Sequence, residues 1–413
     1  MSKPALVFVE SNTTGTGRLF AIEARRRSYR PVLLSADPSR YFYVEQEGID
    51  VIRVDTENMS ELLAVCEQFR DNGRIIGIYS SSEYYIPIVA ELAQYLGLQG
   101  PNPESVRITR NKYSQRMRLK RAGVPTPHFS AASSIRQAIE AACCLGFPVI
   151  VKPVAGSGSV GVQLCRDLID VEQHASFLLK QSCNERGQPI PCFILVEEFA
   201  DGPQYSIETF NQKVIGITKK YLGPLPHFVM IGHDHPATLP SGTQVVLERI
   251  ALKGLTALSL TWGPAHIEVR LTGNRPQIIE INPRLAGGFI PELVRLATGI
   301  DLVAETISLI CGEKSNPTRS LSRYACIRFI VPTNDGIFLE MNGLAEARRI
   351  SGVEEVCTYL EPGKYVIRQG DFRDRIGHVI ASSDTAEAAF QAAEEALHCI
   401  QPCMQPLSEL NGN

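Results

Sequence analysis

In the segment HIEVRLTGNRPQIIEINPR, His266 to Arg284, acidic and amide side chains recur where a divalent cation could be held. Side chains alternate along a strand, so His266, Glu268 and Arg270 share one face. Glu280, Asn282 and Arg284 share one face of the next stretch, whose end Pro283 marks. A regular hairpin about Asn274 sets Glu268 opposite Glu280 and His266 opposite Asn282. Two carboxylates ~5 Å apart repel by about 3 kcal/mol at an effective dielectric of ~20. A cation between them turns repulsion into chelation, and Asn282 adds a neutral oxygen. Oxygen-only ligation with few protein donors suits Mg2+, which completes its shell with water and nucleotide phosphates. The competing reading leaves one glutamate in solvent or paired with Arg270 or Arg284.

A second candidate is VIVKPVAGSGSVGV, Val149 to Val162, a strand that runs into a glycine-rich turn. It is not the familiar P-loop, because Lys152 precedes Gly156, Gly158 and Gly161 instead of following them. A turn rich in backbone N–H groups can fold over phosphates as a lid, with Lys152 reaching an inner phosphate. The alternative is a plain tight turn between strands. A cation site and a phosphate lid in one chain point together to nucleotide chemistry.

Positioning these groups takes several elements. Over the first hundred residues strand and helix alternate, from ALVFVE and GRLFAIEARRR to IIGIYS and YIPIVAELAQYLG, as in a doubly wound parallel sheet. The turns ESNTTGTG and YSSSE lie at strand ends where such sheets bind ligands, although TGTG lacks the third glycine of a dinucleotide fingerprint. GLQGPNPES marks a boundary, VPTPHF an extended connector and SNPTRSLSR a linker. The strands CFILVEEF, YSIETF and KVIGITKKY follow the glycine loop, and the tail ends in the helix DTAEAAFQAAEEALHCI.

At 413 residues, 44% hydrophobic and 21% charged, the chain reads as a multidomain globular enzyme. A net charge of −3 excludes a large nucleic-acid footprint, and the EARRR run reads as a solvated helix face. MSKPALVFVES reads as a first strand and not a signal peptide, and no apolar run is long enough to span a membrane. Eleven cysteines without a C-x-x-C pair read as free thiols of a cytoplasmic protein, and HCIQPC as a frayed helix end.

The chain resembles the ATP-grasp superfamily of carboxylate–amine ligases. RNKYSQRMRLKRAGVPTP, GFPVIVKPVAGSGSVGV, LVEEFADGPQYSIE, AHIEVRLT and IIEINPRLAGG occur in that family's order and spacing. Within it, VESNTTGTG, GHDHPATLP and the tail GKYVIRQGDFRDRIGHVIA are similar to L-amino-acid ligases that make dipeptides and peptide antibiotics. The implied fold is α/β and α+β, with a doubly wound N-terminal domain over 1–105 and a small ATP-grasp subdomain with the lid over 106–195. A large subdomain with the Mg2+/ATP site over 196–315 and a C-terminal α+β domain over 316–413 complete it.

The resemblance also implies roles. Lys112 and Lys152 contact ATP phosphates, and Ser157, Gly158, Ser159, Val160 and Gly161 form the lid. Glu197, Glu198, Phe199 and Ala200 edge the adenine and ribose, with Tyr205 beside them, and Glu197 acts through its carboxylate. Glu268, Glu280 and Asn282 hold two Mg2+ ions, for which Mn2+ could substitute, and Arg284 steadies an acyl phosphate. Gly287 and Gly288 line the carboxylate substrate. Gln204 stands where many relatives carry glutamate, and Lys219 and Lys220 are both open for a phosphate role. His233 and His235 suit a substrate-facing loop, a surface loop or, with no third ligand in view, zinc. Glu83 and Asn12 suit either the amine substrate or turn capping, Trp262 suits the core, and no general base stands out, His266 and Glu268 included. The expected partners are small carboxylates and amines, with no nucleic acid or membrane, in a chain whose relatives are often homodimers. A carboxylase or formyl-transfer enzyme that activates bicarbonate or formate, and a nucleotide-binding regulator without catalysis, are the alternatives.

Overall fold

The structure, a computed structural model, describes residues 3–13, 16–72 and 74–407, so Thr14 and Gly15 of the TGTG stretch lie outside it. The first four strands are β1 (Ala5–Val9), β2 (Arg30–Ser35), β3 (Asp50–Arg53) and β4 (Ile75–Tyr79). They form a parallel sheet in the order β3–β2–β1–β4, and the intervening helices cover it as the alternation requires. β1 is buried along its whole length, which a parallel strand covered on both faces demands.

A second sheet, β5 (Phe129–Ala132), β6 (Val149–Pro153), β7 (Gln163–Cys165) and β8 (Ile194–Glu198), is antiparallel in the order β5–β8–β6–β7. The glycine turn joins β6 to β7. The helix Leu168–Leu179 packs on this sheet through Val171, Ala175 and Leu178.

The largest sheet is built from β9 (Gln204–Phe210), β10 (Lys213–Leu222), β11 (Met230–His235), β12 (Pro264–Thr272), β13 (Arg275–Asn282) and β14 (Tyr324–Ile330). β15 (Gly336–Asn342), β16 (Val353–Thr358), β17 (Tyr365–Val366), β18 (Gly377–Ser383) and β19 (Gln401–Pro406) follow. The large sheet has eight strands in the order β13–β12–β9–β10–β11–β14–β18–β16, so it runs through the SNPTRSLSR linker without a break. The helix Thr243–Ala257 buries Leu247, Ile250, Ala251 and Leu255 against one of its faces. At about 1.5–3 kcal/mol per large apolar side chain, that helix leaves the opposite face free for polar chemistry.

Two short helices aim at the site. Asn102 caps Pro103–Arg110 through the Ser105 N–H at 2.9 Å, and Asn111 caps Lys112–Arg121 through the Ser114 N–H at 2.9 Å. The second cap sets Lys112 in the first helical turn, where the helix dipole adds to its charge. The HCIQPC segment is no frayed end: the last helix stops at Cys399, and Cys403 lies in β19, paired with β15. All eleven cysteines are free thiols.

Candidate active site

The β12–β13 hairpin sets Glu268 opposite Glu280 and His266 opposite Asn282, as expected, but by a different route. Its turn is tighter than a hairpin centred on Asn274, pairing Thr272 with Arg275. A β-bulge at Ile279 then takes up one residue and restores the opposition at the glutamates. Neither carboxylate is bare. Glu268 is paired with Lys220, accepts from Gln204 Nε2 at 2.9 Å and lies 3.1 Å from His266 Nε2. Glu280 is paired with Lys112 at 2.7 Å. The counter-ions are therefore lysines, not Arg270 or Arg284, and Lys220 is the inward member of its pair. Lys219 lies over the Tyr221 ring.

Burial alone would raise the Glu268 carboxyl, and Lys220 and His266 override it and hold it well below the usual carboxylate range. Behind it, His266 Nδ1 lies 2.9 Å from the buried Glu208, which raises the imidazole against the effect of burial. Two opposed carboxylates and a buried amide make an oxygen-only donor set, and two ammonium groups already sit on the carboxylates. A magnesium ion fits that set. Among the described residues no group of three His, Cys, Asp or Glu side chains is arranged to hold a metal ion at His233 and His235.

Lys152 and Glu197 stand at the neighbouring strands β6 and β8. Glu197 is 2% exposed and is held by Lys152 at 2.5 Å and Arg116 at 2.7 Å. Arg116 is fully buried, and it also donates to the carbonyl of Ile279, the extra residue of the bulge. The Glu197 carboxylate is thus turned into a cation pair and not free at an adenine edge. Burial lowers Lys152 despite that glutamate. Arg116 was not singled out in the sequence, because KYSQRMRLKR carries cations all around the helix. Its Nη1, with Nη2 of Arg270, is buried without a hydrogen-bond partner. Such donors fit a polyanion, and a triphosphate would meet Lys112, Lys152 and Lys220 on the same ground.

The remaining nucleotide candidates divide. Ala200 gives its carbonyl to Arg270 at 3.0 Å, and Arg270 lies 5.2 Å from the Phe199 ring. Glu198 turns away to the His128 N–H. Tyr205, expected beside the nucleotide, packs instead in the core with Ile207, because alternation along β9 sends Gln204, Ser206 and Glu208 to the polar face. Trp262 packs against a core cluster, as expected.

The glycine turn is folded down. Lys112 Nζ donates to Gly156 O at 3.0 Å, Ser157 Oγ to Glu83 at 2.8 Å, and the Phe372 N–H to Gly158 O at 3.2 Å. Gly158 has φ +64°, and a Cβ there would lie 2.4 Å from the Phe372 ring. Ser159 also has positive φ, Val160 N–H returns to Ser157 O, and Gly161 O meets His174 Nε2 at 2.9 Å.

Glu83, at the end of β4, is paired with both Arg284 and Arg110. Burial would raise its carboxyl, and the two guanidinium groups override it and hold it near the bottom of the carboxylate range. It carries the N-terminal domain into the site. Asn12 binds Ser81 and Thr16. His233 and His235 are not on a loop: GHDH lies in strand β11, within the large sheet, and both imidazoles are buried. Its two histidines masked the strand because they face polar neighbours. His233 lies edge-on to Phe329, and a Cβ on Gly288 would come within 2.8 Å of its Nε2. Burial, with Lys220, keeps His233 well below its usual range. Gly287 has open space around it.

The ATP-grasp domain family matches residues 145–292, and the L-amino acid ligase C-terminal domain 2 family matches residues 328–404. The chain belongs to the ATP-grasp family, and its C-terminal part is that of the L-amino acid ligases. It is 37% identical, over 99% of its length and 85% of the relative's, to uncharacterized protein y4rH of Sinorhizobium fredii. It is 23% identical to the L-arginine-specific L-amino acid ligase of Bacillus subtilis, over 70% of each chain. The crystal structure of L-amino acid ligase from Bacillus licheniformis superposes with a TM-score of 0.82 at 22% identity, covering 98% of this chain and all of that one. The protein is an ATP-grasp carboxylate–amine ligase that works with ATP and Mg2+. No helix of the described residues is long and apolar enough to cross a membrane.

Proposed function

We propose that the chain joins a small carboxylic acid to the amino group of an amino acid through an acyl phosphate, releasing ADP and phosphate. The four segments bounded at residues 105, 195 and 315 are part of this reading. The observation that carries it is the docking of Phe372, within the L-amino acid ligase C-terminal domain, onto Gly158 of the lid. That contact brings the part of the chain shared with the amino-acid ligases to the roof of the nucleotide site.

The carboxylate oxygen attacks the γ-phosphorus of ATP, and both partners are anionic, so the barrier is largely electrostatic. Lys112, Lys152 and Lys220 would bind the phosphates, while Glu268, Glu280 and Asn282 would hold magnesium, which when bound would supply positive charge for the transferred group. Arg284, released from Glu83, steadies the phosphorylated carboxyl. The amine then attacks the carbonyl, the C–O bond to phosphate breaks, and an amide forms. A closed lid keeps water from the acyl phosphate. His233, kept neutral, and Gly288 border the carboxylate substrate.

A phosphate-release screen over pairs of amino acids and small carboxylic acids, with mass spectrometry of the products, tests this reading. ADP and an amide are expected, and Glu280→Ala abolishes both while leaving circular dichroism unchanged. Bicarbonate-dependent turnover without an amine, AMP as product, or full activity of Glu280→Ala overturns it.

A further inference from the structure

The N-terminal sheet has a topological switch point, at which a crevice is expected, apart from the nucleotide and metal groups. Its order β3–β2–β1–β4 reverses direction between β1 and β4, where open parallel sheets take ligands beyond the carboxyl ends of their strands. The two ends are tied together by Ser11 Oγ and Ser81 Oγ at 2.7 Å. On the inner side Glu83 connects the crevice to Arg284. On the outer side stands the turn closed by the Cys183–Pro189 bridge, in the segment before β8. Tyr84 donates to Glu185 and docks that turn. Arg186 then lies 5.9 Å from the Tyr84 ring centroid.

Arg186 forms no ion pair among the described residues, and its Nη1 is buried without a hydrogen-bond partner. Glu10 is already held by Ser35, Thr56, Tyr41 and the Ala36 N–H. A half-buried guanidinium with a donor that no protein group takes up can make a charge-assisted hydrogen bond to an anion.

We infer that Arg186 binds a carboxylate which the reaction leaves untouched, the free carboxylate of the amine substrate. The amino acid would lie across the crevice with its amino group toward Glu83 and Arg284. This rests on the amino-acid reading above and adds a residue that selects for it. The activated carboxylate, by contrast, belongs at Arg284 and the phosphates.

The test compares an amino acid that the enzyme accepts as amine with its carboxamide, in wild type, Arg186→Gln and Arg186→Lys, by ADP release. In wild type the carboxamide has a KM higher by about 10- to 100-fold, the size of one lost charge-assisted hydrogen bond. In Arg186→Gln the two KM values converge, and Arg186→Lys restores part of the preference. The ratio is independent of the fraction of folded enzyme. A wild-type ratio retained in Arg186→Gln, or no preference in wild type, overturns the inference while leaving the amino-acid reading in place. If no amine stimulates wild type, that reading falls. Calorimetric titration of acid and amide into the ADP–Mg2+ complex then decides Arg186: a preference lost in Arg186→Gln supports the role, and its absence refutes it.

Discussion

Replacing Glu197 with Gln separates two accounts of that residue. If its carboxylate touched the adenine or ribose, the variant would lose ATP affinity and keep its stability. In the structure the carboxylate lies 2.5 Å from Lys152 and 2.7 Å from Arg116, at 2% exposure. The amide leaves two buried cations without a counter-charge, and breaking a buried pair in this way costs about 3–5 kcal/mol. A triphosphate then supplies the missing negative charge, so nucleotide should recover much of that loss. Urea unfolding followed through Trp262, the single tryptophan, measures both quantities with and without ATP and Mg2+. The expected outcome is a large gap between wild type and variant without nucleotide, and a smaller gap with it. A variant as stable as wild type but with ATP binding weakened tenfold or more would refute the buried-triad account.

Arg284→Ala should lower kcat by about 10²- to 10³-fold, the size of a lost preorganised donor, and change ATP affinity far less; steady-state kinetics with a nucleotide-binding titration check this. Gly158→Ala forces a left-handed residue, costing about 1–2 kcal/mol, and drives a methyl into Phe372. The lid should then leak water, and the ratio of ADP released to amide formed should rise above one; an unchanged ratio refutes it. Burial pushes His235 down to about 4 from its usual 6.5, so the unfolded chain binds a proton between these values that the folded chain refuses. Stability contributed above pH 6.5 is therefore lost as pH falls, by about 1.4 kcal/mol per unit and about 3 kcal/mol in all. His235→Gln should flatten the dependence of the urea midpoint between pH 7 and 5.

The parallel sheet and the carboxylate hairpin were legible because their patterns are local. Strand and helix alternate cleanly before residue 100, and the acidic positions of β12 and β13 keep a period of two. β11 was misread because a buried strand with a polar face toward a reaction site looks like a loop. Arg116 stayed hidden in a helix with cations on every side; only the fold reveals which one is buried. The bulge at Ile279 leaves no compositional mark, since an extra apolar residue in IIEIN resembles its neighbours. Lys220 could not be told from Lys219 until the pairing of β9 and β10 set the faces.

That bulge has a consequence for how the molecule holds its charges in register. Ile279 is unpaired in the ladder, and its free carbonyl is where Arg116 is anchored. Through that oxygen Arg116 ties the Lys152–Glu197 pair to the hairpin that carries Glu268 and Glu280, beside the Lys112–Glu280 pair and the Gln115 bonds to Ile281. Straightening the strand by removing that residue would leave the acidic pair face to face, yet cut the Arg116 strut. The Lys112 and Gln115 ties would remain, so the coupling would loosen without any proposed ligand being touched.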